Sequence, residues 1–170
     1  MRPITLLRTG TLLLFLFLSS CDKGLDPSNV SEPGFGGTIT YAGPLPPPDS
    51  LRDLRIVAVP YYPIDTLFQP LIMKVLDGVI PFSADIRSSA VPGMTVPYTM
   101  FLKPKTYYYI AVVQQFGFDP FSQWKVVGVY TALPSDTIPQ SLRIPDGTFV
   151  HDVNITVDFY NLPPQPFRVP

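Results

Sequence analysis

The stretch Phe149-Val150-His151-Asp152-Val153-Asn154-Ile155-Thr156-Val157-Asp158-Phe159 alternates strictly between polar and apolar side chains from Asp152 onward. Successive side chains of a β-strand point to opposite faces, so the alternation predicts a strand with one packed face and one wet face. Several upstream segments are rich in β-branched and aromatic residues and are bounded by proline and glycine. These segments are 38–41, 54–59, 95–101, 107–116 and 124–130. Together they predict a mainly β protein.

Three details refine this prediction. Segment 54–59 is nearly all apolar, which favours a central strand buried on both faces. Segments 95–101 and 107–116 are separated by a loop of hairpin size at 102–106. The run Tyr107-Tyr108-Tyr109 must divide between two faces of its strand, so at least one ring leaves the core.

One segment departs from the period of two. Its apolar residues recur at helical spacing and are Leu67, Phe68, Leu71, Ile72, Val75 and Leu76. Pro70 fits the first turn, where its missing donor is harmless, and Gly78 is placed to end the helix in a left-handed conformation. We therefore expect one short helix near 68–77, over an end or edge of the sheets.

Composition narrows the class of protein. The 170 residues suit one ordinary domain, and 22 prolines disfavour long helices. Hydrophobic residues make up 46% and the formal net charge is −1, which disfavours disorder. The same charge excludes a basic nucleic-acid binder.

The N-terminus has the pattern of an export signal. Arg2 and Arg8 give the N-terminus a positive charge and precede an apolar run at 11–18. This run is too short to cross a bilayer. It is followed by Leu18-Ser19-Ser20-Cys21, which resembles the bacterial lipobox. The resemblance implies cleavage before Cys21 and attachment of a diacylglycerol to its thiol. Cys21 is the only cysteine, so it has no disulfide partner within the chain.

These signals divide the chain into four parts. We expect 1–20 to be a signal peptide, 21–35 a lipidated N-terminus and flexible tether, 36–160 the mainly β domain, and 161–170 a proline-rich tail. Asp22 resembles an inner-membrane retention signal of enteric bacteria, a rule that other phyla do not follow. The expected location is a bacterial membrane, with the outer membrane or cell surface preferred over the inner membrane.

Within 36–160 the chain resembles the carboxypeptidase regulatory-like, transthyretin-type β-sandwich of bacterial envelope proteins. Three segments carry the resemblance: the opening strand and turn at 37–43, the strand at 54–59, and the turn and strand at 102–112. Lys105 stands where that family usually has glycine. The resemblance implies an antiparallel sandwich of about seven strands, immunoglobulin-like or prealbumin-like, without catalytic machinery.

Candidate catalytic and metal groups are few. His151 is the only histidine, and no nucleophile motif accompanies it, so we expect a solvated histidine and no enzyme. One face of the last strand carries Asp152, Asn154 and Asp158. Residues two apart on a strand are about 7 Å apart, which is too far for two of them to share a calcium ion easily. We expect neither a metal nor another cofactor.

The segment 116–124 is the most unusual one, with Phe116, Phe118, Phe121 and Trp124 among amides and an aspartate. One interpretation is that the rings close the end of the core, because each buries a large apolar area. The other is a sugar-binding platform in which Phe118, Asp119, Phe121, Gln123 and Trp124 contact the ligand.

These observations favour a non-enzymatic, lipid-anchored envelope β-sandwich that acts as an accessory or protein-interaction module. Its expected partners are the membrane, through Cys21, and other envelope proteins or a glycan. The alternative function is a carbohydrate-binding lipoprotein that uses the loop 116–124.

Overall fold

The structure is a computed structural model that describes residues 32–64, 67–133 and 136–167. The predicted signal peptide, the lipobox with Cys21 and nearly all of the predicted tether lie outside these residues.

The described residues form short strands and one α-helix in the following order. They are β1 (Gly34–Ala42), β2 (Asp53–Val59), α1 (Phe68–Leu76), β3 (Thr95–Phe101), β4 (Thr106–Tyr107), β5 (Tyr109–Gln115), β6 (Trp124–Val129), β7 (Leu142–Arg143), β8 (Phe149–Val150) and β9 (Ile155–Asp158). The predicted mainly β class with one short helix is confirmed.

The first sheet is built around β1. Strand β3 pairs antiparallel with one edge of β1 over its whole length. The other edge of β1 pairs in parallel with β8 near its start and with β9 near its end. The predicted last strand is therefore split in two, and Asp152, with φ 64°, lies between the halves. The predicted alternation holds beyond this break: Val153, Ile155 and Val157 are buried, and Asn154 and Thr156 are exposed.

The second sheet has the order β2-β5-β6 and is antiparallel throughout. The central strand is β5, and β2 lies at the edge of the strand order. The irregular segment 81–86 covers the outer edge of β2 with backbone hydrogen bonds to Leu54, Ile56 and Ala58. The prediction of a central strand at 54–59 is therefore wrong in position. The apolar character that suggested it has another cause, since β2 is covered on both faces.

The two sheets pack face to face as a β-sandwich. Phe35, Ile39 and Tyr41 of the first sheet meet Ile56 and Val112 of the second in one buried cluster. All five side chains are at most 1% exposed, and each fully buried large apolar side chain contributes about 1.5–3 kcal/mol. The predicted sandwich is confirmed.

The loop of hairpin size at 102–106 does not join two paired strands. Strand β3 pairs with β1 in the first sheet, whereas β5 pairs with β2 in the second. The intervening residues carry the chain from one sheet to the other, with β4 pairing to β7 on the way. Loop length alone does not distinguish a hairpin from such a crossing. The three tyrosines divide as predicted: Tyr107 and Tyr109 are buried and Tyr108 is exposed.

Helix α1 lies over the outer face of the second sheet, not over an end or edge. Phe68 and Leu71 of the helix form a second buried cluster with Val59, Tyr109 and Val126. Pro70 stands in the first turn, and Gly78 has φ 71° just after the helix, both as predicted.

Both ends of the described chain are attached to the sandwich. Strand β1 begins at Gly34, and Phe35 is completely buried, so the core starts within the last residues of the segment predicted as a tether. At the other end the Gln165 side chain accepts a hydrogen bond from the Val126 N–H (2.8 Å) and donates one to the Val126 carbonyl (3.0 Å). Phe167 packs on Phe68 with ring centroids 4.9 Å apart.

Candidate functional site: an apolar cleft between helix and sheet

An open cleft of about 470 Å³ lies along α1 on the outer face of the second sheet and is lined by residues of both. Its floor includes Val57 of β2, Val113 of β5 and Val126 of β6, and its roof includes Leu71 and Val75 of α1. Ligand pockets in proteins commonly have about 300–1,000 Å³ and mostly apolar walls. In size and lining the cleft resembles such a site.

The alternation of the strands and the period of the helix place these side chains. In β2 the even-numbered residues Leu54, Ile56 and Ala58 enter the core between the sheets. The odd-numbered Val57 and Val59 therefore point to the opposite face, where the cleft is. Helical residues three and four apart lie on the same face, so Leu71 and Val75 both meet the floor.

Apolar side chains remain exposed at the margin of the cleft. Leu76, Phe82 and Phe121 line it and are exposed, and Met73 is exposed on α1. Exposed apolar side chains around a cleft are typical of an interaction or ligand site.

A polar pair lies at one end of the cleft. The Arg55 guanidinium (Nε) donates to Asp53 Oδ2 at 2.7 Å and lies 5.1 Å from the centroid of the Phe82 ring. The second oxygen of Asp53, Oδ1, is buried and has no hydrogen-bond partner among the described residues. A buried polar atom without a partner is costly, and this oxygen is closed to solvent, so the cleft does not reach it.

The opposite end of the cleft is formed by Tyr109. Its ring stacks on Tyr62 at 5.7 Å, and its hydroxyl is also buried without a partner in the described ranges. Burial, with a smaller contribution from Tyr62, raises the pKa of the Tyr109 hydroxyl well above its ordinary value, so it is protonated at neutral pH. It is able to donate a hydrogen bond there.

The loop 116–124 is shaped by hydrogen bonds within itself. Gln123 Oε1 accepts from the Asp119 N–H at 2.8 Å. Asp119 accepts from the Phe121 N–H at 2.9 Å and from the Ser122 hydroxyl, and these bonds lower the pKa of its carboxyl. The Trp124 indole donates to the Pro120 carbonyl at 2.8 Å. The polar groups of Asp119 and Gln123 thus serve the loop, and a ligand role for them stays a prediction.

The aromatic rings of this loop differ in exposure and in whether they line the apolar cleft. Phe118 is 81% exposed and Phe121 52% exposed. The Arg52 guanidinium lies 3.6 Å from the centroid of the Phe118 ring. Phe121 and Trp124 line the apolar cleft, whereas Phe118 does not. Of the five predicted ligand residues, Phe121 and Trp124 are the two that line the cleft.

Sequence reasoning missed the remaining cleft residues. Val57 and Val113 looked like core positions, and Leu71 and Val75 like the packed face of a helix. The available signal was that both faces of segment 54–59 carry apolar residues, with Arg55 as the one charged exception. Such a strand needs cover on its outer face, and the helix follows it in sequence.

The polar face of β9 borders a second, more polar cleft of about 590 Å³ that includes Asp152, Asn154 and Asp158. The Asn154 carboxamide oxygen accepts from the Thr38 N–H and hydroxyl, each at 2.9 Å. Within the described ranges no group of three or more metal-ligating side chains is close enough to hold an ion. His151 is exposed, with its ring 5.0 Å from that of Phe149.

Comparison with protein-family models, with curated proteins and with solved structures found no match to the chain. In the part of the chain that the structure describes, no helix is both long and apolar enough to span a bilayer.

Proposed function

We propose that this protein is a non-enzymatic, lipid-anchored β-sandwich that acts as an accessory or interaction module of the bacterial envelope. The observation that carries the proposal is the apolar cleft under α1 with its exposed apolar margin. Exposed apolar area favours aggregation unless a partner covers it, so a surface of this kind supports a role in binding. The resemblance of 36–160 to carboxypeptidase regulatory-like domains belongs to the same proposal.

The anchor in this proposal is the lipidated Cys21. An acyl chain contributes about 0.8 kcal/mol per buried CH₂, and two chains anchor a protein stably where one chain does not. The Leu18-Ser19-Ser20-Cys21 sequence supports attachment of a diacylglycerol. The domain would then stand at a membrane, with the outer membrane or cell surface preferred over the inner membrane.

The anchoring proposal is tested by metabolic labelling with a fatty-acid analogue. We expect label on the wild-type protein, and none on the Cys21→Ser variant, which leaves the membrane fraction or remains unprocessed. Ser20→Ala is the matched control, since alanine preserves a small residue before Cys21. Absence of label on the wild type contradicts the anchor.

The interaction surface is tested by site-specific photo-crosslinking in cells. A photoreactive side chain at Leu76, on the margin of the cleft, is expected to capture an envelope component as a discrete product. The same group at Ile138, which is exposed and does not line the cleft, is the control. Equal crosslinking at both positions would count against a specific surface.

A second candidate function is carbohydrate binding by the loop 116–124. The exposure of Phe121 and of the face of Phe118 opposite Arg52 favours it. Aromatic rings stack on sugars only where their faces are open. We expect the double variant Phe118→Ala, Phe121→Ala to lose glycan binding while its melting temperature changes little. Phe35→Ala provides the comparison, since a buried ring costs about 3–5 kcal/mol when removed. No glycan binding by the wild type contradicts this candidate.

A further inference from the structure

We propose that one end of the sandwich lies against the anionic lipid headgroups of the membrane that holds the anchor. The contact surface, called the entry surface below, consists of Phe101, Lys103, Pro104, Lys105 and Arg143. The inference rests on the proposed lipid anchor and deepens it, because it states how the domain is oriented and which side chains meet the lipid. None of the five residues lines the apolar cleft.

The entry surface adjoins the point where the chain that follows Cys21 enters the sandwich. The start of β1 pairs with the end of β3, and the Leu102 N–H donates a hydrogen bond to the Pro33 carbonyl at 2.9 Å. Glu32 lies 11 positions after Cys21, so at about 3.3–3.6 Å per residue the two are at most about 40 Å apart. The anchor thus holds this end of the domain near the membrane, where even a weak contact is populated because it is intramolecular in effect.

The loop that carries the two lysines is held in place through its backbone. The Tyr107 hydroxyl donates a hydrogen bond to the Lys103 carbonyl at 3.2 Å, and the Ile144 N–H donates one to the Lys105 carbonyl at 2.9 Å. Strand β4 pairs with β7, which brings Arg143 beside the loop. Both lysines and Arg143 are exposed. A fixed backbone therefore presents three cations next to the entry point of the chain.

The charge of the entry surface favours an anionic lipid. Its three cations form no ion pair within the described residues. The adjoining segments contribute two acidic side chains, Glu32 and Asp146. The whole chain has a net charge of −1, so an anionic membrane attracts this end of the domain rather than the chain as a whole. The attraction falls off within about 10 Å at moderate salt, and the short connection to the anchor keeps the cations near that range.

Phe101 adds an apolar contact to the charged one. It is 59% exposed at the end of β3, whereas the neighbouring Met100 is buried in the core. Its ring packs on Phe149 with centroids 5.8 Å apart, which fixes its position on the outer face of the first sheet. Phenylalanine side chains beside basic residues insert at the boundary between headgroups and acyl chains. The entry surface combines both kinds of side chain.

The lipidated protein, purified from membranes, allows a direct test, because acylation of Cys21 occupies the only natural thiol. A fluorophore is attached to Pro104→Cys and, as a control, to Ser88→Cys. Ser88 is exposed and lies at the opposite end of β1, since the hydroxyl of the adjacent Ser89 is 3.3 Å from that of Tyr41.

Each labelled protein is reconstituted in vesicles of phosphatidylethanolamine and phosphatidylglycerol that contain a lipid with a spin label on its headgroup. We expect the fluorescence at position 104 to be quenched and that at position 88 to be retained. High salt or replacement of phosphatidylglycerol by phosphatidylcholine should remove most of the quenching, because both weaken the attraction between the cations and the lipid.

Two double variants test whether these particular cations make the contact. Lys103→Gln with Lys105→Gln should lose most of the quenching at position 104. Arg52→Gln with Lys125→Gln removes the same charge at the far end of the second sheet and should retain it. Phe101→Ala should weaken the quenching while its circular dichroism stays unchanged, since its ring is more than half exposed.

The outcomes separate this inference from the proposed anchor. Equal fluorescence at positions 104 and 88, on vesicles that retain the protein, overturns the membrane contact and leaves the anchor intact. Quenching that the two lysine substitutions do not change overturns the assignment to these cations. If position 104 is protected in cells but not on protein-free vesicles, a protein covers the entry surface and the lipid contact is overturned. A protein that carries no fatty-acid label and leaves the vesicles overturns the anchor, and this inference with it.

Discussion

At the scale of single residues, Gly37 has a role that only the packing reveals. A Cβ atom added there would lie 2.8 Å from the backbone nitrogen and 2.6 Å from the carbonyl carbon of Val153. Backbone atoms of a paired segment cannot yield as a flexible side chain does. The close approach of β1 to the segment before β9 therefore requires glycine at this position.

Gly37→Ala is expected to lower the free energy of unfolding by about 1–3 kcal/mol, the usual cost of overpacking. Chemical denaturation followed by circular dichroism measures this. Ser88→Ala, at an exposed position, is the control and should change stability by about 0.5 kcal/mol or less. Equal stability of the two variants would show that β1 moves to accept the methyl group.

Asp119 and Gln123 illustrate what residue-level reasoning could not determine. A carboxylate and an amide among aromatic rings have the chemistry of a sugar site. The same groups also satisfy the backbone of a tight loop, and in the structure they do so. Composition is identical in the two cases, so only the direction of each hydrogen bond separates them.

At the scale of elements, α1 was predictable because its signals are local. The period of its apolar residues, Pro70 in the first turn and the left-handed Gly78 each depend on a few neighbouring residues. Its position over the face of the second sheet was not predictable. That position depends on which face of β2 and β5 remains uncovered after the sandwich has formed.

The glycine that follows α1 tests whether neighbouring residues determine where the helix ends. Gly78→Ala places a Cβ in the left-handed region and should cost about 1–2 kcal/mol of stability. Gly78→Asn should recover part of the loss, because asparagine tolerates that conformation better. Thermal unfolding measures both. Equal losses in the two variants would argue against a conformational cause.

The C-terminal segment supplies a second test at this scale. Gln165 hydrogen-bonds both backbone groups of Val126 on the edge strand β6. Gln165→Ala should make the Val126 amide exchange about tenfold faster and lower stability by about 1–2 kcal/mol. Gln69→Ala, on the exposed side of α1, should do neither. An unchanged exchange rate would show that water or another group replaces Gln165.

At the scale of the whole molecule, buried tyrosines make stability depend on alkaline pH. Burial raises the pKa of Tyr98 and Tyr109 well above the ordinary value of about 10, with smaller contributions from neighbouring tyrosines, and raises that of Tyr41 and Tyr107 as well. Above pH 10 the unfolded chain has lost these protons and the folded chain keeps them. The unfolded state then binds fewer protons, so the stability present at lower pH is lost as pH rises.

We therefore expect the free energy of unfolding to fall steadily above about pH 10. Denaturation series at neutral pH and between pH 9.5 and 11.5 measure this. Tyr109→Phe should make the fall shallower, because one raised group has been removed. Ile138→Val, at an exposed position without a titrating group, should leave the slope unchanged. A flat profile in the wild type would contradict the buried state of these hydroxyls.

The β class, the short helix with its glycine end, and the wet and packed faces of the last strand can all be predicted from the amino-acid sequence alone. Each of these follows from periods of two or 3.6 residues read over a few positions. The strand partners became known from the folded chain: β3 and β5 enter different sheets, β2 lies at an edge, and β1 pairs in parallel with β8 and β9. The fold alone also brought Phe121 and Trp124 to the apolar cleft. Strand pairing and cavity shape arise from contacts between segments far apart in the chain, and no local period encodes which of the compatible partners a segment meets.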